Sequence, residues 1–448
     1  MTTFSIRSRT VAISGALALV LAANAGYAQT AGAQALTLTL SDAVERALAA
    51  SHRIAESKAR GEAAAASVGG RRAATLPQVN AAAGYTRTNH VDEFGILLPN
   101  NQLRIIYPDI PNNSRARLDV QWPIYTAGRL DAMVTSAQHE EAASSKDVET
   151  TAADVRLDAA RAFWNLAVAQ ESLKVVDESL ARMTEHVRDA RNQVDAGLVP
   201  PNEVLSAQAQ EARQRMLSIQ ARMTRDVARA DLARVVGADP GTEVIVTADL
   251  TPPLAPPNVD ALLVEAKQHR SERQAIEARS AGAEARLRAA AAGRRPTVAV
   301  AGGVDYARPN PRIFPRIGEW RESWDAGVNV NWPLFDGGRT RYETAEASAG
   351  VRALQARLAE LDSAIALEIR QRVSEIGSNL AALEAADAGI AAATEARRVI
   401  GERYQAGVAT NTDVVDAQVA VLQAQLDRTQ AIASARLAEA RLNRALGR

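Results

Sequence analysis

The string WPIYTAGR at residues 122–129 is repeated as WPLFDGGR at residues 332–339. The two copies start 210 residues apart, because 332 − 122 = 210. Two pairs of glycines keep the same interval: Gly197 with Gly407, and Gly237 with Gly447. One spacing kept over more than a hundred residues indicates an internal duplication of a single structural unit.

The rest of the chain divides around this duplication. Residues 1–28 contain two arginines, then the apolar run VAISGALALVLAA, and then small residues suited to a cleavage site. This is the layout of a secretory signal peptide. The first unit covers residues 29–237 and the second covers residues 258–448, with a predicted Pro-rich linker at residues 238–257. The apolar run is shorter than the roughly 20 residues of a membrane-spanning helix, which favours an exported chain over an anchored one.

The composition excludes several classes of partner and cofactor. The 52 basic residues balance 52 acidic ones, so the net charge of +0 gives no reason to expect a nucleic-acid partner. The chain has no cysteine, which excludes disulfides and a lipid on an N-terminal cysteine. Its five histidines are scattered and no catalytic motif is present, so we expect neither an enzyme nor a metal or other cofactor. A lone histidine on a long helix is expected at the surface.

Each unit is predicted to contain a helix, two strands, a very long helix, a glycine turn and a medium helix. In the long helices, at residues 130–194 of the first unit and again in the second, apolar residues recur every three or four positions, which is typical of coiled-coil packing. About 65 residues with a rise of about 1.5 Å each make a rod on the order of 100 Å long. The medium helices of residues 41–74 and 201–236 are shorter, so two are expected to stack end to end along one long helix.

Four segments alternate apolar and polar residues over 7 to 11 positions, close to the roughly 9 to 11 residues of a strand that crosses a bilayer. They lie at residues 79–85, 118–124, 298–306 and 324–334, and the connecting segments 88–114 and 308–322 are predicted to be loops. The alternative is a soluble sheet, whose half-buried strands alternate in the same way. The export signal and the Asn, Asp and Gln residues of the polar faces favour a membrane barrel. Four strands cannot close one, so we expect an oligomer, with eight strands in a dimer or twelve in a trimer.

This arrangement resembles the TolC-like family of outer-membrane efflux channels. The resemblance covers residues 36–447 and rests on the two WP…GR strings, on LPQV before the first strand and on the AGL and AGV turns. It implies a mainly α-helical fold with transmembrane β-strands, in which a homotrimer forms a twelve-stranded outer-membrane barrel above a tunnel of twelve periplasmic helices. It also implies passive conduction, outer-membrane lipid around the barrel, and two partners: a periplasmic adaptor (membrane fusion) protein and an inner-membrane RND, ABC or MFS transporter. The alternative is an exported periplasmic coiled-coil adaptor or structural protein, although adaptors have one helical hairpin and this chain has two.

The resemblance assigns roles to residues at the two glycine turns. Four residues correspond to the periplasmic tip that contacts the adaptor and closes the channel: Gly197, Leu198, Gly407 and Val408. Asp413 and Asp416 follow the second turn, three positions apart on one face of a helix. The resemblance implies that they form carboxylate rings that narrow the entrance and favour cations. The alternative is that they only complement the dipole of their helix.

Two further residues match the tip network of the family. Glu203 and Tyr404 correspond to an acid and a tyrosine of that network, so a hydrogen bond between them is expected. Ala409 stands where the name-giving member of the family has an arginine, so the charged part of the network is not expected here.

The two WP…GR strings are predicted to be the elbows between barrel and tunnel. Each Trp ends the apolar face of a strand at the bilayer boundary, and each Pro marks the end of strand pairing because it lacks an N–H group. Each Gly lets the chain turn into the long helix, and each Arg lies on the water side. The residues are Trp122, Pro123, Gly128 and Arg129 in the first unit and Trp332, Pro333, Gly338 and Arg339 in the second.

Overall fold

A computed structural model describes residues 36–248, 251 and 258–448. The predicted signal peptide, residues 1–28, and the Pro-rich part of the linker lie outside the described residues. The helices are α1 (Leu40–Ala50), α2 (His52–Ala73), α3 (Arg129–Asp195), α4 (Asn202–Val235), α5 (Val259–His269), α6 (Ser271–Ala291), α7 (Arg339–Gln405) and α8 (Asn411–Leu446), with a 3₁₀ turn at Ala292–Arg294. The strands are β1 (Leu36–Leu38), β2 (Gln78–Arg87), β3 (Phe94–Leu97), β4 (Leu103–Tyr107), β5 (Asn112–Tyr125), β6 (Val244–Val246), β7 (Thr297–Arg308) and β8 (Arg321–Asn331).

The two long helices, α3 and α7, have 67 residues each. Both begin directly after a glycine in the left-handed conformation, Gly128 with φ of +79° and Gly338 with φ of +85°. Both end at a turn that contains another such glycine, Gly197 or Gly407. The corresponding ends of the helices lie 210 residues apart, so the backbone repeats with the sequence and both predicted rods are confirmed.

The predicted helix of residues 41–74 is divided in two at Ser51. The backbone N–H of Ile54 donates a hydrogen bond to the Ser51 hydroxyl at 3.4 Å, which caps the start of α2. The second unit has the corresponding break at Arg270, between α5 and α6. Ser51 and Arg270 are extended, with ψ of 114° and 115°, and this interrupts the helical hydrogen bonds. The prediction of a single continuous helix is therefore wrong for this segment.

The medium helices follow one another along α3, as their lengths predict. α1 and α2 pack along one half of α3, and α4 packs along the half that leads to the glycine turn. Val235, at the end of α4, packs against the cluster formed by Ala47 and Ile54 with Val155 and Ala159 of α3. The end of α4 therefore meets the break between α1 and α2.

The four predicted strands form one antiparallel sheet in the order β2, β5, β7, β8. Val79 lies opposite Val120, and Val300 lies opposite Val328, so apolar residues of neighbouring strands share one face. β2 and β8 are the outer strands of this sheet. The predicted loop 88–114 contains an additional hairpin of β3 and β4, which was not predicted because FGIL and LRIIY are too short to show an alternating pattern.

A small sheet lies beside the middle of α3. β1 pairs in parallel with β6. Leu38 and Val244 of these strands are buried in a cluster with Phe163 of α3 and Leu232 of α4. The segment 238–257 was predicted to be only a linker, and the structure places β6 within it. Apolar contacts with α3 and α4 hold this strand in place.

The helices approach closely because many of the residues between them are alanine. Alanines are fully buried on α1, α3, α4, α6 and α8, where larger side chains would separate the helix axes. In the part of the chain that the structure describes, no helix has both the length and the apolar content needed to cross a membrane.

Candidate functional site

The four-stranded sheet has one apolar face and one charged face. The apolar side chains are largely exposed in the described chain: Val79, Tyr85, Leu118, Trp324, Val328 and Val330. On the opposite face Arg117 forms ion pairs with Asp119, Asp305 and Asp325. Exposed apolar patches of this extent mark contact with a partner or a membrane. The sheet is therefore built to separate apolar from aqueous surroundings.

The charged cluster joins three strands of the sheet. Arg117 of β5 donates to Asp325 of β8 at 3.0 Å and to Asp119 at 2.6 Å. Arg115 donates to Asp305 of β7 at 2.5 Å, and the nearly buried Asp305 carboxylate also accepts from Arg117. The alternating pattern predicted which residues share the polar face. It did not predict which of them meet, because strand register is set by the assembled sheet.

A tryptophan at each predicted elbow bonds to the short segment between a helix and the following strand, after α2 in the first unit and after α6 in the second. Trp122 Nε1 donates to the carbonyl oxygen of Thr75 at 3.2 Å. Trp332 Nε1 donates to the carbonyl oxygen of Arg294 at 3.3 Å. Both indole rings are exposed, so each elbow has an amphipathic ring whose polar group is already bonded.

The turns between strand and long helix are built in the same way in both units. Ala127 and Gly128 both have positive φ, and so do Gly337 and Gly338. Arg129 and Arg339 then begin the long helices and are exposed in the described chain. The glycines are needed because a side chain in the left-handed conformation is strained.

The second elbow has an acidic cap that the first elbow lacks. Asp336 accepts hydrogen bonds from the backbone N–H groups of Gly338 and Thr340, both at 3.0 Å. The Thr340 side chain and these N–H groups lower the pKa of the Asp336 carboxyl to about 2. The corresponding residue of the first unit, 210 positions earlier, is Thr126, whose hydroxyl accepts from the N–H of Leu130 at 3.4 Å.

The two prolines of the elbows differ in position. β8 ends at Asn331, so pairing stops before Pro333 as predicted. β5 continues through Pro123 to Tyr125, so the same interpretation is wrong for Pro123. The register with β7 shifts between Pro123 and Tyr125, and this bulge accommodates a residue that has no N–H to donate.

The two glycine turns at the far end of the long helices have the same cap. Leu198 N–H donates to Gln193 O, and Val408 N–H donates to Arg403 O, each at 2.9 Å. Gly197 and Gly407 supply the positive φ that this helix termination requires. The side chains that follow these glycines are exposed to solvent in the described chain: Leu198 is 74% exposed and Val408 is 63% exposed.

Asp413 caps α8, and Asp416 lies beside it on the exposed face. The Asp413 carboxylate accepts from the backbone N–H and the hydroxyl of Thr410, each at 2.8 Å. These bonds lower the pKa of the Asp413 carboxyl. Both aspartates are exposed in the described chain, so Asp413 completes a capping box and still presents a charge to solvent.

Tyr404 bonds to a residue other than the one expected. Its hydroxyl donates to Gln193 Oε1 at 3.0 Å. Oε2 of Glu203 is buried without a hydrogen-bond partner in the described chain, so the expected bond between Tyr404 and Glu203 is wrong. Tyr404 and Gln193 both lie in the last turns of long helices, and that proximity brings them together. Burial raises the pKa of the Tyr404 hydroxyl, and the charges of Glu203 and Asp189 raise it further.

His186 is buried at the tip, so its expected position at the surface is wrong. Asn411 Nδ2 donates to the backbone carbonyl of Glu203 at 3.3 Å, which leaves Asn411 Oδ1 to accept from His186 Nε2 at 2.5 Å. The imidazole also lies against the Tyr404 ring, 5.8 Å between centroids. No motif in the sequence indicated this contact. Among the described residues, no group of three or more His, Asp or Glu side chains could hold a metal ion.

Comparison with known proteins identifies similar chains. The sequence profile described as "Outer membrane efflux protein" matches residues 43–238 and 262–448. Protein CyaE of Bordetella pertussis is 27% identical over 391 residues, covering 85% of this chain and 78% of that protein. Outer membrane protein TolC of Vibrio cholerae is 22% identical over 348 residues, covering 77% of this chain and 76% of that protein.

A solved structure shows the same fold. The outer membrane protein VceC of Vibrio cholerae superposes with a TM-score of 0.75 at 21% identity. The superposition covers 91% of this chain and 96% of VceC. The combination of paired long helices with a four-stranded sheet is therefore shared across nearly the whole described chain.

Proposed function

We propose, on the premise that this chain belongs to the outer membrane efflux protein family, that three copies form one channel through the outer membrane and across the periplasm. Membership of the family makes the chain an outer-membrane exit duct with a periplasmic helical tunnel. The family consists of channel proteins and not of enzymes. Substrates therefore pass through it without chemical change.

The observation that carries the trimer is the open four-stranded sheet. Its apolar face is uncovered, and its outer strands β2 and β8 have unpaired edges within the chain. Unpaired backbone groups in lipid cost several kcal/mol each, so a membrane sheet has to close. Two copies would supply eight strands and three copies twelve, both within the range of bacterial barrels, and membership of the TolC-like family favours three. β8 of one copy then pairs with β2 of the next, and the charged face around Arg117 lines the lumen.

The helical end is proposed to meet the other components of an export system. Leu198 and Val408 are exposed apolar side chains at the two tip turns. Such residues suit contact with a helical hairpin of a periplasmic adaptor (membrane fusion) protein, which links the channel to an inner-membrane RND, ABC or MFS transporter. Gly197 and Gly407 fix the turns that present these side chains.

Asp413 and Asp416 are proposed to form two carboxylate rings at the periplasmic entrance. They lie three positions apart on one exposed face at the start of α8. In a trimer each aspartate occurs three times, and rings of acidic side chains favour cations. The capping role of Asp413 is compatible with this, because its carboxylate stays exposed.

The trimer is tested by changing an apolar residue whose side chain is exposed in a single copy. Ile219 of α4 is 65% exposed, and Ile219→Glu places a charge on that apolar surface. We expect the heat-resistant trimer band in outer-membrane fractions to be lost, whereas Gln220→Glu, at the exposed next position, keeps it. Recovery of the unchanged chain in the soluble periplasm would contradict the proposal and favour an adaptor or structural protein.

The carboxylate rings are tested by removing charge while the helix cap is kept. The amide oxygen of asparagine can still accept the hydrogen bonds that Thr410 donates to Asp413, so Asp413→Asn with Asp416→Asn removes the charge and keeps the capping box. We expect block by multivalent cations to weaken at least tenfold and cation selectivity to fall in planar bilayers. Glu384→Gln, on the exposed surface of α7, is the matched control. Unchanged cation block in the double variant would contradict the ring.

A further inference from the structure

The two ends of the four-stranded sheet differ in charge. At one end the connections between strands, residues 87–111 and 308–322, contain six arginines and five acidic residues, a difference of one charge. At the other end, which we call the junction end, the strands connect to α2, α3, α6 and α7. Residues 70–77, 123–132, 292–296 and 332–343 of the junction end contain seven arginines and three acidic residues, which leaves an excess of four positive charges. We call these arginines the arginine belt: Arg71, Arg72, Arg129, Arg294, Arg295, Arg339 and Arg341.

Little within the described chain neutralises the arginine belt. All seven side chains are exposed, and among them only Arg339 has an ion pair in the described chain, with Glu343 at 3.8 Å. Asp336 attracts Arg294 by charge, but its carboxylate is occupied by the backbone N–H groups that it caps. By contrast, Arg117 on the polar face of the sheet is paired with three aspartates. The positive charge of the belt is therefore available to a partner outside the chain.

The elbow tryptophans hold the belt beside the apolar face of the sheet. Trp332 Nε1 donates to the carbonyl oxygen of Arg294 at 3.3 Å. Trp122 Nε1 donates to the carbonyl oxygen of Thr75, whose own N–H donates to the carbonyl oxygen of Arg72 at 2.9 Å. Indole rings of membrane proteins lie at the level of the lipid headgroups. These bonds therefore hold the backbone of both arginine pairs close to the headgroup level.

Exposed apolar and aromatic side chains accompany the belt at the junction end. Phe335 is 90% exposed and Leu334 75% exposed, and Tyr125 and Tyr342 are also exposed. A surface that combines such residues with arginine fits the boundary of a bilayer, where apolar groups reach the acyl chains and guanidinium groups reach the headgroups. A soluble anion would match the charge and leave these apolar side chains uncovered. The combination points to a lipid surface.

We propose that the arginine belt binds the phosphate groups of anionic phospholipids in the inner leaflet of the outer membrane. This inference rests on the proposed trimeric channel, in which three copies with two arginine groups each place six groups around the barrel. A guanidinium group offers N–H donors in a planar fork that matches the oxygens of a phosphate. Lipids with a net negative charge are preferred over zwitterionic ones because the belt has excess positive charge. The bound lipids fix the depth of the barrel in the membrane.

The test removes charge from the two arginine pairs that the tryptophans hold. The belt variant combines four substitutions: Arg71→Gln, Arg72→Gln, Arg294→Gln and Arg295→Gln. A matched control removes the same number of charges from exposed helix positions that have no ion pair in the described chain: Arg188→Gln, Arg213→Gln, Arg357→Gln and Arg370→Gln. A third variant has lysine at the four belt positions, which keeps the charge and loses the planar fork.

Tryptophan fluorescence measures which lipid lies beside the elbows. Trp320→Phe and Trp324→Phe, introduced into every protein compared, remove the two tryptophans near the other end of the sheet, and Trp164 is buried among helices. Trp122 and Trp332 then report on the junction end. The full-length trimer is reconstituted in phosphatidylethanolamine vesicles that contain an equal fraction of either dibrominated phosphatidylglycerol or dibrominated phosphatidylethanolamine. The ratio of quenching by the two lipids gives their relative binding.

We expect the parent to prefer phosphatidylglycerol by roughly threefold or more at low salt, and the preference to fall in 0.5 M salt because ions screen the belt. The belt variant should show a ratio near one. The control variant should keep the preference of the parent, and the lysine variant should keep at least half of it. If the belt variant gives no heat-resistant trimer, Arg71→Gln with Arg72→Gln and Arg294→Gln with Arg295→Gln are measured separately, and each should lose part of the preference.

Three results would overturn the inference. One is equal quenching by both lipids in the parent, another is a preference that persists in the belt variant or in both double variants, and the third is an equal loss in the control variant. Failure of the channel proposal gives a different result, because the parent then does not insert into vesicles and neither brominated lipid quenches its fluorescence.

Discussion

The first and second units of this chain share the backbone of their long helices, elbows and tip turns and differ in the contacts of their side chains. α3 and α7 have equal lengths, and both elbows and both tip turns contain glycines with positive φ. These glycines recur because the turns need a conformation that other residues adopt only with strain. His186 in the first unit is buried against α8, whereas its counterpart Ala396 is exposed. Duplication has kept the conformation of each unit and changed what its surfaces contact.

The largest effect is expected at the glycine that ends the second unit. A Cβ on Gly447 would lie 2.7 Å from the backbone oxygen of His269, and its φ is +85°. Gly447→Ala should therefore destabilise the chain by about 2–3 kcal/mol, lowering the unfolding temperature in a thermal scan. The clash is with the backbone at the break between α5 and α6, so no side-chain truncation relieves it.

The counterpart in the first unit should respond differently. A Cβ on Gly237 would meet the Cβ of Ala50 at 2.4 Å, so the obstacle there is a methyl group. Gly237→Ala should destabilise the chain by about the same amount, and adding Ala50→Gly should restore part of the loss. Equal rescue of Gly447→Ala by a truncation at His269 would contradict the distinction between the two ends.

A smaller effect is expected at the tip. His186→Ala leaves Asn411 Oδ1 without its partner in a buried site, which costs about 1–3 kcal/mol. Amide hydrogen exchange in the last turns of α3 should accelerate roughly tenfold or more, since about 1.4 kcal/mol corresponds to a factor of ten. His52→Ala, at an exposed position at the start of α2, should leave exchange at the tip unchanged. Equal rates in both variants would remove the special role of His186.

The smallest effect is a pH dependence that only the second elbow should show. Asp336 has a folded-state pKa of about 2, below its usual value of 3.8. A carboxyl whose pKa is lowered on folding contributes stability above its unfolded pKa and loses that contribution as the pH falls through the folded value. The difference in unfolding temperature between the parent and Asp336→Ala should therefore shrink from pH 4 to pH 2. Thr126→Ala, at the first elbow, should show a difference that does not change over this range.

The long helices, the main strands and the elbows could be predicted because each depends on a local pattern. Apolar spacing predicts the helices, alternation predicts the strands, and glycines mark the turns. The break at Ser51, the hairpin of β3 and β4, and strand β6 were not predicted, since each is stabilised by partners distant in the sequence or is too short to show a pattern.

The tip shows the same limit at the level of single residues. The resemblance pairs Tyr404 with Glu203, but in the structure the Tyr404 hydroxyl bonds to Gln193. Which of two nearby acceptors a hydroxyl reaches depends on differences of a few ångströms between packed helices. His186 could not be identified for the same reason, because its partner Asn411 is 225 positions away in the sequence.

Residue order alone dictates the duplication, the helical rods, the amphipathic strands and the places where the chain turns, because short-range sterics and periodic burial act within a few residues. The tertiary structure alone decides strand register, the partners of Arg117 and Tyr404, and the contrast between a filled face on α8 and an open one on α4. These features depend on surfaces that meet only after the units have packed. In this chain that packing buries one face of α8 and leaves the equivalent face of α4 exposed.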